Sequence, residues 1–404
     1  MVRKIITNKY DKAIIILLAS LAFGNLYIGF GALQYSRILA IVFVPMLLNI
    51  IAKCNFVKSL LYFALFVIIY GFVSLTWTPN PIRGIEELLY YIIHFLLFFE
   101  ILMFSKYANN ALKSISKGWI LSLSITLLIA LWEITTGNHL QSSVSFADKY
   151  NLGGGNFIFR RYAAVTFYNY NSYVTFICVS IPFVFYSILN KVSKINYIYM
   201  CVIILLSLVV VLFNASRGGL LCLLVVFFLY FFNAPNKKYV IPVFLILLFA
   251  ALAYFGDDML ALISYRGSDG GLVKDEGRMQ IYSNGLKVFF DTKGFGTGLG
   301  GLDLWMNKFS NDILVTHCMP LEILVQFGFI IFVMFVTFLI RLFLKTLRIK
   351  DFPRRIALYM VFLSLPILSV IDSRYLLNAC FFAYISSIII FVNYEQIRPV
   401  SKNI

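Results

Sequence analysis

DDMLALISYRGSDGGLVKDEGRMQIYSNGLKVFFDTKGFGTGLGGLDLWMNKFSNDILVTH, residues 257–317, is the longest polar interruption in an otherwise apolar chain. Directly after it CMPLEILVQFGFIIFVMFVTFLI, residues 318–340, resumes an apolar run long enough to cross a bilayer. The contrast between the two stretches decides the fold class. With 404 residues, 61% hydrophobic and 13% charged, the chain has too little polar surface to cover a water-soluble globule. Its mean hydropathy of +0.88 places it in a membrane.

Working outward, about twelve segments, from 13–33 at the start to 375–394 at the end, meet or approach the roughly 20 mostly apolar residues that a spanning helix needs. Lipid offers backbone amides no partner, so these segments are expected to be helices. The expected architecture is an all-α polytopic membrane protein of GT-C-like type, a single integral domain over 1–404. Residues 257–316 would form a large extracytoplasmic loop between the ninth and tenth spans. The basic start MVRKIITNKYDK, followed by a long uncharged stretch without a clear small-residue cleavage site, is expected to be a retained first helix.

The net charge of +16 raises nucleic acid as a partner, but the Lys and Arg lie in ones and twos between apolar runs, so no nucleic acid is expected. Topology explains the charges better. The larger share falls in one set of alternate loops, with Arg3, Lys4, Lys9 and Lys12 at one end and Arg341 to Arg355 and Arg398 at the other. Basic residues near helix ends stay in the cytoplasm, which puts both termini there and the loops near 137–162 and 257–316 outside. Cys54, Cys178, Cys201, Cys222 and Cys380 fall within or beside apolar runs without ligand spacing, so neither a disulfide frame nor a metal site is expected.

Few residues carry chemistry. Arg217, in NASRGGLL (214–221), stands where two uncharged runs meet, and a charge at membrane depth is a functional candidate, or else an arginine snorkelling to the headgroups. Arg278 lies in EGRMQIYSNGLKVFF (276–290), whose apolar spacing suits an amphipathic interfacial helix with the arginine on its wet face. His317, one of three histidines, closes the loop at a helix entrance, and an imidazole suits proton transfer near neutrality. His94 reads as a packed polar residue and His139 as a solvated one.

Gly296, Gly298 and Gly301 match a dinucleotide-binding pattern by count. Without a βαβ context they read as a turn. Asn169 and Asn171 stand ready for sugar hydroxyls or for bonds across helices, and Arg160, Arg161, Asp372 and Arg374 for a cavity rim or for interface anchors.

In this order the motifs resemble the O-antigen ligase and polymerase superfamily of bacterial membrane glycosyltransferases. SLTWTPNP (74–81) is similar to that family's tryptophan-containing turn, and Asn169 and Asn171 stand where the family often has NPN. SRGGLL (216–221) resembles its SRG element, Arg278 heads an RxxxYxxGLxxF stretch, and His317 with Gly328 resembles HNxxLxxxxExG. Cys318 replaces the usual Asn, Gln326 the common Glu, and Tyr170 the NPN proline.

The resemblance implies a donor glycan on undecaprenyl diphosphate, a glycan or lipid acceptor, membrane lipid around both, and a metal-independent inverting transfer without cofactor. Arg217 and Arg278 would bind the diphosphate and His317 would act as general base. It places the protein in the bacterial cytoplasmic membrane with its active site outside, where other polysaccharide assembly proteins are candidate partners. The leading expectation is a repeat-unit polymerase of a surface polysaccharide such as O-antigen or capsule. The close alternative is the ligase that transfers the finished glycan to lipid A core or another acceptor. A flippase or transporter for lipid-linked sugars is the reading from a different class. It calls for polar residues along the middle of several spans, and the central spans are nearly bare of them.

Overall fold

The structure is a computed structural model that describes residues 7–27, 33–51, 57–140, 162–167, 169–190, 194–214, 216–233, 276–309 and 315–397. The helices are α1 (Lys9–Ala19), α2 (Tyr35–Ile51), α3 (Lys58–Ser74), α4 (Pro81–Tyr107), α5 (Ala111–Thr136), α6 (Tyr170–Leu189) and α7 (Lys194–Phe213). They continue with α8 (Arg217–Asn233), α9 (Glu276–Asp291), α10 (Leu302–Asn307), α11 (Met319–Thr346), α12 (Phe352–Leu368) and α13 (Ala379–Ile397). Among the described residues the only strand-like pairing is an isolated bridge between Tyr27 and Gln34. Five helices, α4, α5, α6, α11 and α13, are long and apolar enough to cross a bilayer, and α2, α3, α7 and α8 are shorter apolar helices. The protein is therefore an all-α polytopic membrane protein. The expected span near 238–256 and loop residues 257–275 and 310–314 lie outside the described residues.

Helix starts follow from local chemistry. Asn80, Asn110, Asn169 and Asp351 accept hydrogen bonds from backbone N–H groups of the first turns of α4, α5, α6 and α12, and Pro81 opens α4 where a missing N–H costs nothing. The first helix departs from the expected 13–33. It starts at Lys9, tightens into a 3-10 turn at Ser20–Phe23, and stops at Gly24, whose φ is 42°. A Cβ there would sit 2.7 Å from the Thr166 carbonyl oxygen, so the chain turns away.

Helix α4 is central, packed on α1, α2, α3 and α13, while α5 packs on α1, α6 and α7 and α12 on α6 and α8. Asp11, buried at the start of α1, clamps the α4–α5 connection. It accepts from the Asn109 and Asn110 amides at 3.0 and 3.2 Å and from the Ser114 hydroxyl at 2.7 Å. Small residues permit close approach elsewhere, since a Cβ at Gly118 of α5 would lie 2.6 Å from Leu18 Cβ of α1.

The interfacial helix read from 276–290 forms as α9, with Ile281 and Val288 buried and Met279 and Phe290 exposed. After it the glycine stretch 294–301 docks into a break in α11. At Gly328 the helix adopts φ 75° and ψ −178°, a conformation essentially confined to glycine. The helical ladder opens there and the loop closes it. The Thr297 amide donates to Val325 O at 2.8 Å, the Gly298 amide to Gln326 O at 3.2 Å, and the Phe329 amide to Gly294 O at 3.0 Å.

The loop is fastened on its other side to the α3–α4 turn. Leu299 N donates to Ser74 Oγ at 3.1 Å, Gly300 N to Glu87 Oε2 at 2.8 Å, and Trp77 Nε1 to Gly296 O at 3.2 Å. Tyr70 Oη donates to the Phe295 carbonyl. Gln326 adds its own amide to Glu87 at 2.9 Å.

Gly328→Ala should destabilise the protein by on the order of 1–3 kcal/mol from backbone strain alone, and more because the new methyl would meet Gly294 O. Gly137→Ala is also in the left-handed region but has open space around it, so it should cost less. Thermal melting of both purified variants measures this, and equal melting temperatures would remove the interlocked break from the account.

Candidate functional site

The connection between α12 and α13 gathers the segments that the sequence singled out. Three consecutive residues take three anchors. Ser369 O accepts from the Met319 amide at 2.8 Å, Val370 O accepts from the Arg278 guanidinium at 3.0 Å, and Ile371 packs on Gly218, where a Cβ would lie 2.9 Å from its Cγ1. Met319 is two residues past His317 and Gly218 is next to Arg217, so segments far apart in the chain meet on one turn. The turn is held from beneath by Glu322, a buried carboxylate in the first turn of α11. It accepts from the Tyr375 and Leu376 amides at 3.0 and 3.4 Å.

Arg217 is the exposed first residue of α8, where the helix N-terminus favours anions. Its neighbour Gly219 packs against Val174 of α6, where a side chain would not fit. Arg278 lies in the first turn of α9, half-buried, and its bond to Val370 O helps fix the plane of the guanidinium. His317 is half-buried with φ 45°, a left-handed conformation costly for a residue with a Cβ. Backbone strain of this kind gathers at functional positions. The thiol of Cys318 is pushed up by burial, against an opposing hydrogen bond from Leu321, and so stays protonated at neutral pH.

The remaining candidates divide. Asn169 caps α6 through the Ser172 amide at 2.9 Å, and Asn171 sits half-buried in the first turn of the same helix. Asp372 lies beneath the surface, accepts from Ser172 Oγ at 2.8 Å, and donates its own amide to Tyr375 Oη at 2.8 Å. Arg374, left-handed at φ 56°, meets Asp303 at 2.6 Å. Arg160 and Arg161 lie outside the described residues. Among the described residues no group of three His, Cys, Asp or Glu side chains could hold a metal ion.

Sequence reasoning missed a second charged group. Asp303 is bracketed by Arg83 at 2.8 Å and Arg374 at 2.6 Å, and Arg83 also meets Glu87 at 3.5 Å. The signal was present as an i, i+4 pair beside SLTWTPNP and an aspartate just past the glycine cluster. Ionisable residues are also buried in the long helices, contrary to the sparse reading of the spans. Glu133 takes the Ala164 and Val165 amides at 2.8 Å each, and His94 accepts from Arg37 Nε at 3.2 Å, as a packed polar residue should. His139 is not simply solvated, because it stacks on Tyr162 with centroids 4.2 Å apart and stands 3.8 Å from Glu133.

Residues 202–336, which contain Arg217, Arg278 and His317, match the family model described as O-antigen ligase. The chain is also 26% identical over 293 residues to the teichuronic acid biosynthesis protein TuaE of Bacillus subtilis (strain 168). The match covers 68% of this chain and 58% of TuaE, so the chain spans less than two thirds of that relative's length. Both similarities support the O-antigen ligase and polymerase superfamily that the motif order resembles.

Burial pushes the Asp372 carboxyl up to about 6, against opposing hydrogen bonds from the Ser373 amide and the Ser172 hydroxyl. The folded state then holds this proton more tightly than the unfolded chain, so the contribution to stability is present at low pH and falls as pH rises to about 6. Asp372→Asn should flatten that slope in melting temperatures recorded across the window. Parallel curves for wild type and variant would show that the carboxyl is not held this way.

Proposed function

We propose that the protein is a membrane glycosyltransferase that polymerises repeat units of a surface polysaccharide, each unit delivered on a polyprenyl diphosphate. The observation that carries this reading is the convergence of the Arg217, Arg278 and His317 segments on residues 369–371. Two guanidiniums, each in the first turn of a helix, suit a diphosphate, and an imidazole on a segment anchored to the same connection suits a hydroxyl that must lose a proton.

In the proposed step the acceptor hydroxyl oxygen attacks the anomeric carbon of the donor sugar with inversion. The bond from that carbon to the diphosphate oxygen breaks, the hydroxyl proton passes to His317, and the negative charge left on the diphosphate is met by Arg217 and Arg278. Similarity to a protein named for teichuronic acid biosynthesis supports work on a polymer. The charge pattern of the loops supports a site on the outer face of the bacterial cytoplasmic membrane, with both termini inside.

A ligase is the second reading, favoured by the description of the matching family model. The two differ in what a deletion leaves behind. A polymerase mutant keeps single units on their acceptor and loses long chains, which is the outcome expected here. A ligase mutant strands polymer on the lipid carrier.

His317→Ala should lower transfer by about 10²–10⁴-fold at normal protein level, the usual worth of general base catalysis. Arg217→Lys keeps the charge but loses the planar fork, and should cost roughly tenfold or more. Chain length and amount of extracted glycan report both variants, and wild-type values in either would remove that residue from the chemistry.

A further inference from the structure

Against the later part of the 369–377 connection lies a cleft of about 570 Å³, lined among others by Asn80, Arg83, Glu86, Tyr90, Arg374 and Leu377. Its back wall is rigid. Arg37, itself buried, lays its guanidinium 3.9 Å from the centroid of Tyr90, donates to His94, and reaches the Leu377 carbonyl at 3.5 Å. The side wall is equally set, since Asp303 holds Arg83 and Arg374 together and Glu87 is pinned by the Gly300 amide. Nothing in the donor chemistry above uses these residues.

The charges decide what fits. Arg83 and Arg374 already face Asp303 and Glu87, and Glu86 adds a further carboxylate, so a phosphate entering here would meet no net positive field. Sugar hydroxyls suit the wall better, because they donate to carboxylates and accept from guanidiniums and from the amide of Asn80. The volume lies in the range of small-ligand sites and exceeds what one pyranose needs.

We propose that this cleft binds an uncharged sugar of the acceptor glycan. The assignment rests on the glycosyl-transfer reading above. In-line displacement brings the attacking hydroxyl from the side opposite the leaving diphosphate. Arg278 meets the connection at Val370, while Arg374 and Leu377 line the cleft further along the same connection.

Full-length protein in lipid nanodiscs, probed by saturation-transfer NMR, tests the site. The probe is an oligosaccharide of one or two repeat units cut from the surface polysaccharide of the cells that make the protein. Wild type should transfer saturation to its sugar protons. Ile82→Trp, at a rim position 77% exposed and therefore safe for folding, should cut the signal at least fivefold, and Glu86→Gln should weaken it. Arg278→Ala should leave sugar binding intact while abolishing transfer, so the donor reading and the cleft can fail separately. Undiminished signal in both cleft variants, displacement of the sugar by inorganic pyrophosphate, or wild-type transfer rates in Ile82→Trp would overturn the proposal.

Discussion

A helix that breaks inside an apolar layer leaves amides and carbonyls that no lipid can satisfy, and α11 breaks at Gly328. The glycine stretch answers that break bond for bond, with Thr297, Gly298 and Gly294 replacing the partners that the continuous helix would have supplied. Only glycines at the points of contact let the loop come this close. A Cβ at Gly296 would lie 2.7 Å from the Gly328 nitrogen, and one at Gly300 2.4 Å from the Gly84 nitrogen. The exchange pins the polar segment to the core, and with it the C-terminal end of α9 and the start of α10, which carries Asp303.

From this attachment the site follows. Helices α9, α10 and the start of α11 share a small apolar cluster of their own, with Ile281, Val288, Met306 and Leu321 buried between them. That cluster sets α9 against the entrance of α11, where His317 stands. The α12–α13 connection then acts as a common abutment, receiving α8 through Ile371, α9 through Val370 and α11 through Ser369 and Glu322. Three segments far apart in the chain meet because one short turn offers its carbonyls and a methyl-bearing side chain to all of them.

Charge is divided across this abutment. Arg278 meets it at Val370, and Arg217 precedes the glycine on which Ile371 packs. Further along, at Arg374, Asp303 balances Arg83 and Arg374, and Glu87 serves both an arginine and a backbone amide. Such a division suits a reaction whose leaving group is strongly anionic and whose nucleophile is a neutral hydroxyl.

Membrane residence, the all-helical class and the amphipathic helix at 276–290 were all legible in the amino-acid order. Hydropathy, helical period and the cost of an intramembrane charge are local properties that need no partner. The pairing of Asp303 with arginines 220 and 71 positions away was not legible, nor was the burial of Asp372 under Ser172. Those depend on which helix ends share a turn. Gly328 stood out only as the glycine that ends the motif begun at His317, and only the folded chain shows it as the break that admits the loop. Composition settled the solvent and the kinds of group available; the obligation to satisfy every polar backbone atom away from water settled where those groups meet.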